Sequence, residues 1–119
     1  MKKMYKKILY LSMVAILSLT GCTSKKLLYS WSDYYNTSYK SLKFGDEKSM
    51  ENLISTYQQI IKKQEGTRNT VPPGIYADYG FILLQTGETN EGIAMLNKEI
   101  SLYPESKVFI DRILKIFEQ

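Results

Sequence analysis

The sequence of 119 residues contains no histidine and only one cysteine. Histidine is the commonest general base and the commonest metal ligand, so its absence removes the simplest catalytic and metal-binding arrangements. We also find no phosphate-binding glycine loop, metal-ligand spacing or nucleophile elbow. We therefore expect no catalytic residue, no metal site, no dissociable cofactor and no small-molecule substrate. A single cysteine cannot form an internal disulfide bond, so Cys22 needs an explanation of its own.

Most of the chain lacks a net charge. The formal charge of +4 comes from 16 basic and 12 acidic residues. Four of the basic residues precede the first apolar segment, namely Lys2, Lys3, Lys6 and Lys7. Without them, the rest of the chain has 12 basic and 12 acidic residues. Domains that bind nucleic acids carry a basic patch that neutralises phosphates, and this balance gives no support for one. We therefore expect no nucleic-acid partner.

The first mainly apolar stretch follows these lysines and runs from Ile8 to Leu19, over 12 residues. A membrane-spanning helix needs about 20 apolar residues, so a shorter stretch after a basic start is typical of a cleaved signal peptide. It ends in Leu19-Thr20-Gly21-Cys22, which resembles the lipobox of bacterial lipoproteins.

That resemblance implies cleavage between Gly21 and Cys22 and attachment of a lipid to the Cys22 thiol. Several acyl chains, at about 0.8 kcal/mol per buried methylene, would then hold the protein in a membrane. Thr23 stands where an aspartate would resemble the inner-membrane retention signal, so we expect the periplasmic face of the outer membrane. The alternative is an ordinary secreted protein that is cut elsewhere, in which Cys22 has no role.

This interpretation divides the chain into a signal peptide (residues 1–21), a lipidated N-terminus with a short tether (residues 22–27) and a helical domain (residues 28–119). The extended tether reaches about 15 Å, so the domain should lie close to the membrane. Apolar residues of the domain recur at helical spacing, and no alternating stretch indicates a sheet. The predicted helices run from Trp31 to a stop at Gly45, from about Ser49 to Gln64, and from about Ile75 to Thr86. A fourth runs from a cap at Thr89 or Asn90 to a stop at Pro104, and a fifth from a cap at Ser106 onward.

The order of these helices predicts an all-α fold of two helical hairpins and a C-terminal helix. The stretch from Tyr76 to Pro104 resembles a tetratricopeptide repeat, with Gly80 at the small position where the helices of a hairpin touch. Gly92 and Glu99 depart from the preference of that repeat for alanine. The resemblance implies a tetratricopeptide-like domain, whose concave face holds a peptide or helix of another protein.

Several short blocks, in their order along the chain, are similar to the small bacterial lipoproteins grouped as domain of unknown function 4810. The blocks are Leu28-Tyr29-Ser30-Trp31-Ser32-Asp33-Tyr34, then Val71-Pro72-Pro73-Gly74, then Ala77 and Gly80, then Pro104-Glu105-Ser106 with Phe109 and Asp111. This resemblance implies an envelope location and the company of a lipoprotein similar to the curli secretion channel. It implies no reaction.

Five aromatic residues lie between Tyr29 and Tyr39. We expect Trp31, Tyr35 and Tyr39 to form the buried face of the first helix, with Tyr29 or Tyr34 more exposed. A docking surface for a partner and a contact with the membrane interface are the alternatives.

The function that we expect is a small adaptor or assembly factor for a neighbouring envelope protein. The candidate partner-binding residues are Tyr34, Tyr76 and Asp78, together with the loop at Pro72-Pro73. That loop has a simpler interpretation, in which it only ends one helix and begins the next. The alternative function is a lipoprotein that binds cell-wall glycan by stacking exposed tyrosines on sugar rings.

Overall fold

The computed structural model describes the backbone of residues 1–17 and 26–118, and the side chains of residues 1–13 and 26–118. The predicted cleavage at Gly21 and lipidation of Cys22 lie outside the described residues. Helix α1 (Lys2–Leu17) lies within the predicted signal peptide, and its described side chains are exposed. Within the described residues, α1 packs against no other helix. None of the helices described is both long and apolar enough to cross a membrane.

Residues 26–118 fold into helices that are joined by turns and one longer loop. The helices are α2 (Tyr34–Phe44), α3 (Glu47–Lys62), α4 (Ile75–Gln85), α5 (Thr89–Leu102) and α6 (Lys107–Phe117), with a 3-10 turn at Pro104–Ser106. α2 packs on α3 and α4 packs on α5, while α6 packs on the second of these hairpins. The predicted all-α fold of two hairpins and a C-terminal helix is confirmed.

The first predicted helix is wrong at its start. α2 begins three residues after Trp31, because Ser32 has a φ of 46° and turns the chain away from the right-handed helical region. At the other end of α2, Gly45 adopts a left-handed φ of 60°. Asp46 then caps α3 by accepting a hydrogen bond of 2.7 Å from the backbone amide of Ser49. α3 therefore begins two residues earlier than predicted.

The first hairpin buries small hydroxyl residues on both of its helices. Thr37 and Ser41 of α2 are buried, and so are Ser49 and Thr56 of α3. A buried hydroxyl needs a hydrogen-bond partner. The Thr37 hydroxyl donates to the carbonyl oxygen of Asp33 at 3.0 Å. On α3, the hydroxyls of Ser49 and Thr56 donate to the carbonyl oxygens three and four residues before them. Small hydroxyl side chains, three of which bond to nearby carbonyl oxygens of the chain, are therefore what this hairpin buries.

The prediction that Tyr35 and Tyr39 belong to the core is wrong, because they are 69% and 62% exposed. Successive residues of a helix are rotated by about 100°, so a helix that buries Thr37 and Ser41 turns Tyr35 and Tyr39 away from that side. Leu42 is exposed as well. α2 therefore presents an apolar outer face, whereas Trp31 is half-buried and packs against the core.

The two helices of the second hairpin approach each other closely at a pair of glycines. A Cβ added to Gly80 would lie 2.9 Å from the carbonyl oxygen of Gly92, and a Cβ on Gly92 would lie 2.9 Å from that of Gly80. The predicted role of Gly80 as the small residue at the hairpin contact is confirmed. A tetratricopeptide repeat prefers alanine at the position of Gly92. The same contact explains the glycine, because it leaves no room for a Cβ there.

The core has two parts, and both lie within residues 53–113. The part that joins the two hairpins consists of Leu53, Tyr57, Ile60, Val71, Ile75, Tyr76, Tyr79 and Leu83. The part that joins α4, α5 and α6 consists of Ala77, Leu84, Leu96, Ile110 and Ile113. Because α1 contributes to neither part, a chain of residues 26–119 keeps every core contact described.

The antiparallel course of the helices divides their ends into two groups. One group, which we call the turn end, holds the tight turns at Gly45 and Gly87. The other, which we call the strap end, holds the start of α2, the loop between α3 and α4, and the end of α5. Residues 26–33, the strap, lie across this end. The 16 residues of α3 separate the two ends by about 22 Å, at about 1.5 Å per residue.

Candidate functional site

The loop before α4 is fixed from two sides. Gly74 has a φ of 92°, a conformation that favours glycine, and its backbone amide donates a hydrogen bond of 2.7 Å to Oε1 of Glu99. The hydroxyl of Tyr103 donates to the carbonyl oxygen of Val71 at 2.6 Å. Pro72 is fully buried in this loop. The loop therefore serves to begin α4, and Pro72 offers no surface to a partner.

Glu99 is a buried acid on α5 that caps the start of α4, and it is 1% exposed. Burial raises the pKa of its carboxyl, while the backbone N–H groups of Gly74, Ala77 and Tyr76 oppose that rise by stabilising the carboxylate. The positive end of the α4 dipole lies at the same place. Sequence reasoning registered Glu99 only as a departure from alanine, and the cap explains why an acid occupies that position.

A series of aromatic rings connects the strap to the core. The centroids of Trp31 and Tyr34 are 5.7 Å apart, those of Tyr34 and Tyr57 are 5.9 Å apart, and those of Tyr57 and Tyr79 are 5.8 Å apart. Contacts of this kind contribute about 0.5–1.5 kcal/mol each beyond the area they bury. Burial raises the pKa of Tyr57, and the negative charge of Asp78 raises it further. The rings thus link the strap, the first hairpin and the second hairpin.

Tyr34 and Asp78 join α2 to α4 at the edge of this series. The Tyr34 hydroxyl donates a hydrogen bond of 3.1 Å to Oδ2 of Asp78. Burial raises the pKa of Asp78, and the hydrogen bond from Tyr34 lowers it in part. Burial likewise raises the pKa of Tyr34, and the charge of Asp78 adds to the rise. Asp78 is exposed to solvent, but the surrounding protein atoms displace part of the hydration shell of its carboxylate.

An apolar recess opens beside Asp78, between α4 and α6. It has a volume of about 210 Å³ and is lined by Ala77 and Phe81 of α4 and by Phe109 and Ile113 of α6. Phe109 is 59% exposed at the recess, whereas Ile113 is buried below it. A water molecule occupies about 30 Å³ in the liquid, so the recess has room for an apolar side chain. The recess can therefore hold an apolar side chain of a partner. The carboxylate at its edge can pair with a cation next to that side chain.

The family model described as Domain of unknown function (DUF4810) matches residues 28–113. The chain belongs to this family. The match contains the Tyr34–Asp78 pair, the Glu99 cap and the apolar recess. No curated protein and no solved structure matches the chain.

In this DUF4810 chain, two of the predicted partner-binding residues lie together and the others lie apart from them. Tyr34 and Asp78 form the hydrogen-bonded pair. Tyr76 is 9% exposed, and its ring lies 5.5 Å from the ammonium of Lys98 on α5. Tyr76, like Pro72, is therefore a packing residue, because so little of it reaches the surface. Pro73 is exposed at the strap end.

The recess of the DUF4810 domain contains residues that sequence reasoning missed. The helical spacing of Phe109, Ile113 and Phe117 predicts that Phe109 lies on the buried face of the last helix, yet Phe109 is exposed and the neighbouring Ile110 is fully buried. Ala77 and Phe81 are four residues apart and therefore share one side of α4, which was the available signal. Among the described side chains, those of residues 1–13 and 26–118, no three acidic or thiol groups converge in a way that would hold a metal ion.

Proposed function

We propose that this DUF4810 protein is an outer-membrane lipoprotein that acts as a small adaptor for a neighbouring envelope protein. In this proposal, residues 1–21 are a cleaved signal peptide, Cys22 carries the lipid, and residues 28–119 form a tetratricopeptide-like domain on the periplasmic face. The sequence Leu19-Thr20-Gly21-Cys22 supports the anchor. The two antiparallel hairpins and the close approach of Gly80 and Gly92 support the repeat-like arrangement.

The apolar recess between α4 and α6 is the observation that carries the adaptor proposal. Phe109 beside the recess is 59% exposed, and Val108 and Ile116 of the same helix are 66% and 67% exposed. Exposed apolar surface next to a recess is typical of protein-interaction sites. The carboxylate of Asp78 at the edge adds a negative charge. We therefore expect a partner segment that inserts an aromatic or aliphatic side chain and carries a lysine or arginine next to it.

The partner we propose is an envelope lipoprotein similar to the curli secretion channel. This choice is supported by the neighbourhood that the family resemblance implies and by the anchor, which would bring both proteins to the same membrane. Helix-in-groove recognition, in which an amphipathic helix lays its apolar face on the recess, fits the shape of the site. The DUF4810 domain would then help to assemble or stabilise that partner.

Photocrosslinking in intact cells tests the adaptor proposal. A photoreactive residue replaces Phe109 at the recess, and the matched control replaces the exposed Ala94 on α5. We expect one dominant adduct with an envelope protein from position 109, and its loss when Asp78→Lys reverses the charge at the edge. No protein adduct at position 109, or the same adducts at position 94, in protein that is folded and lipidated, would contradict the proposal.

A second candidate function is binding of cell-wall glycan, and a polar groove on the first hairpin favours it. A polar groove of about 470 Å³ lies between α2 and α3, and its lining includes Asn36, Asn52 and Gln59. Tyr35 and Tyr39 are exposed on the same helix as Asn36. Amide groups bond to sugar hydroxyls, and tyrosine rings stack on sugar faces.

Cosedimentation of residues 26–119 with purified peptidoglycan tests this second candidate. The candidate requires binding that falls when Tyr39→Ala removes an exposed ring. Val108→Lys, which changes an exposed residue beside the recess, serves as the matched control and should leave glycan binding unchanged. Absence of cosedimentation would leave the adaptor as the supported function.

A further inference from the structure

The strap is held against the loop between α3 and α4 by its backbone. The backbone amides of Thr67 and Arg68 donate to the carbonyl oxygens of Leu27 and Leu28, both at 3.0 Å. A Cβ on Gly66 would overlap the carbonyl oxygen of Leu28, so the two segments are in direct contact. The first residues after the predicted tether therefore belong to the rigid domain.

Side-chain contacts hold the strap at two further places. The guanidinium of Arg68 lies 5.8 Å from the centroid of the Tyr29 ring, and its Nη1 donates to the Tyr29 hydroxyl at 3.3 Å. The Ser32 hydroxyl donates to Oε1 of Gln59 on α3 at 3.1 Å. The point at which the chain enters the domain is thus fixed relative to the helices.

Two leucines stand out from this fixed strap. Leu27 is 72% exposed and Leu28 is 60% exposed, although their backbones are hydrogen-bonded to the loop. Lys26 precedes them and is exposed, and Arg68 lies across from them. Adjacent apolar side chains that are flanked by cations suit a membrane interface, where leucine enters the acyl boundary and lysine or arginine meets lipid phosphates.

The strap end carries charges of both signs. Lys26 and Arg68 lie beside the two leucines, and Lys62 and Lys63 end α3, where Lys63 pairs with Glu65 at 2.6 Å. Asp33 and Glu105 lie at the same end. The cations next to the leucines, and not the net charge of the whole end, would therefore meet an anionic surface.

We infer that the strap end, through Lys26, Leu27, Leu28 and Arg68, rests on the surface of a bilayer that contains anionic phospholipids. This inference rests on the proposed lipid anchor at Cys22. Four residue steps separate Cys22 from Lys26 and span at most about 15 Å, so the anchor holds this end within reach of the lipid head groups. The domain then stands on its strap end, with the turn end directed away from the membrane.

Depth-dependent quenching of a fluorophore in the full-length lipidated protein tests the inference. A lipidated Cys22 has no free thiol, so Leu28→Cys gives a single labelling site for nitrobenzoxadiazole at the strap end. Leu42→Cys, on an 85% exposed residue near the turn end, is the matched control. The protein is reconstituted in vesicles of phosphatidylethanolamine and phosphatidylglycerol that contain a nitroxide-labelled lipid. We expect the label at position 28 to lose most of its fluorescence, and the label at position 42 to keep it.

The outcomes separate the inference from the anchor on which it rests. Equal quenching at positions 28 and 42, or no quenching at position 28, in protein whose Cys22 thiol is blocked would overturn the inference and leave the anchor intact. Stoichiometric labelling of the parent protein at Cys22 would overturn the anchor and the inference together. Lys26→Glu provides a second measurement, because charge reversal should reduce the quenching at position 28 while the helical circular dichroism stays unchanged.

Discussion

Replacement of Glu99 separates the contributions of packing, hydrogen bonding and charge in the cap of α4. The side chain is 1% exposed, and its Oε1 accepts a hydrogen bond of 2.7 Å from the backbone amide of Gly74. Glu99→Gln keeps the shape and one acceptor oxygen, Glu99→Leu keeps most of the volume without an acceptor, and Glu99→Ala removes both. The three variants therefore form a graded series at a single buried position.

The structure sets the expected size of each effect. Hydrogen bonds to charged groups contribute about 1.5–3 kcal/mol, so Glu99→Leu should lower the free energy of unfolding by about that amount. Glu99→Ala also leaves a cavity and should lower it by about 3–5 kcal/mol in total. Glu99→Gln exchanges a charged acceptor for a neutral one and removes a buried charge, so its effect should stay within about 1 kcal/mol.

Urea denaturation of residues 26–119, followed by circular dichroism, measures the three free energies. The expected order of stability is wild type close to Gln, then Leu, then Ala. A Leu variant as stable as the wild type would refute the reasoning, because the buried carboxylate would then contribute no net stabilisation to the start of α4. A substitution at the exposed Asn97, two residues away on α5, is the matched control and should change stability by less than about 0.5 kcal/mol.

The Glu99 variants also predict how the free energy of unfolding depends on pH. The pKa of Glu99 is raised above its ordinary value of 4.5 by burial. Between that value and the raised pKa, the folded state binds more protons than the unfolded state, so stability falls as the pH rises through this window. Glu99→Gln has no such titration. The free energy of unfolding of the wild type relative to Glu99→Gln should therefore increase as the pH is lowered to 4.5. A decrease would show that the folded state stabilises the Glu99 carboxylate relative to the unfolded state, which contradicts the raised pKa.

Three further predictions concern the hairpin contact, the Tyr34–Asp78 pair and the strap. Gly92→Ala should lower the free energy of unfolding by about 1–3 kcal/mol in urea denaturation, because its Cβ would lie 2.9 Å from the Gly80 carbonyl oxygen; an undiminished stability would contradict the close contact. A double-mutant cycle of Tyr34→Phe and Asp78→Asn should give a coupling of about 0.5–1.5 kcal/mol, and additive effects would mean that the 3.1 Å hydrogen bond contributes nothing. Gly66→Ala should displace the strap and shift the fluorescence of Trp31 to longer wavelength. It should also free the backbone at Leu27 and so speed trypsin cleavage after Lys26, whereas unchanged emission and cleavage would show that the strap tolerates the added Cβ.

The hairpins could be predicted because their signals are local. The start of α4 at Ile75 follows from two prolines and a glycine that precede it, and the stops at Gly45 and Gly87 follow from residues that accept a positive φ. The contact at Gly80 could be predicted because the stretch from Tyr76 to Pro104 resembles a repeat that has a small residue where two helices touch. The helix starts and stops are set by residues within one or two helical turns of them, whereas the Gly80 contact involves Gly92 on the next helix.

The buried face of α2 and the Glu99 cap could not be predicted because they depend on residues far away in sequence. Hydrophobic spacing assigns Tyr35 to the core, yet α2 buries the small residues Thr37 and Ser41 instead, and the Thr37 hydroxyl bonds to the carbonyl oxygen of Asp33. Glu99 meets Gly74 across 25 positions, and nothing near Glu99 in sequence announces that contact. The recess depends likewise on where α6 returns to α4, which brings Phe109 next to Phe81.

The position of the recess along the helices connects the two proposals. Asp78 lies three residues after the start of α4, and Phe109 lies two residues after the start of α6, so both are within about 5 Å of the strap end along the helix axes. If the strap end rests on the bilayer, the recess faces sideways just above the lipid head groups. A partner segment that reaches it must then lie close to the same membrane surface. That requirement favours a second lipoprotein, or the membrane-proximal rim of an outer-membrane assembly, over a freely diffusing periplasmic protein.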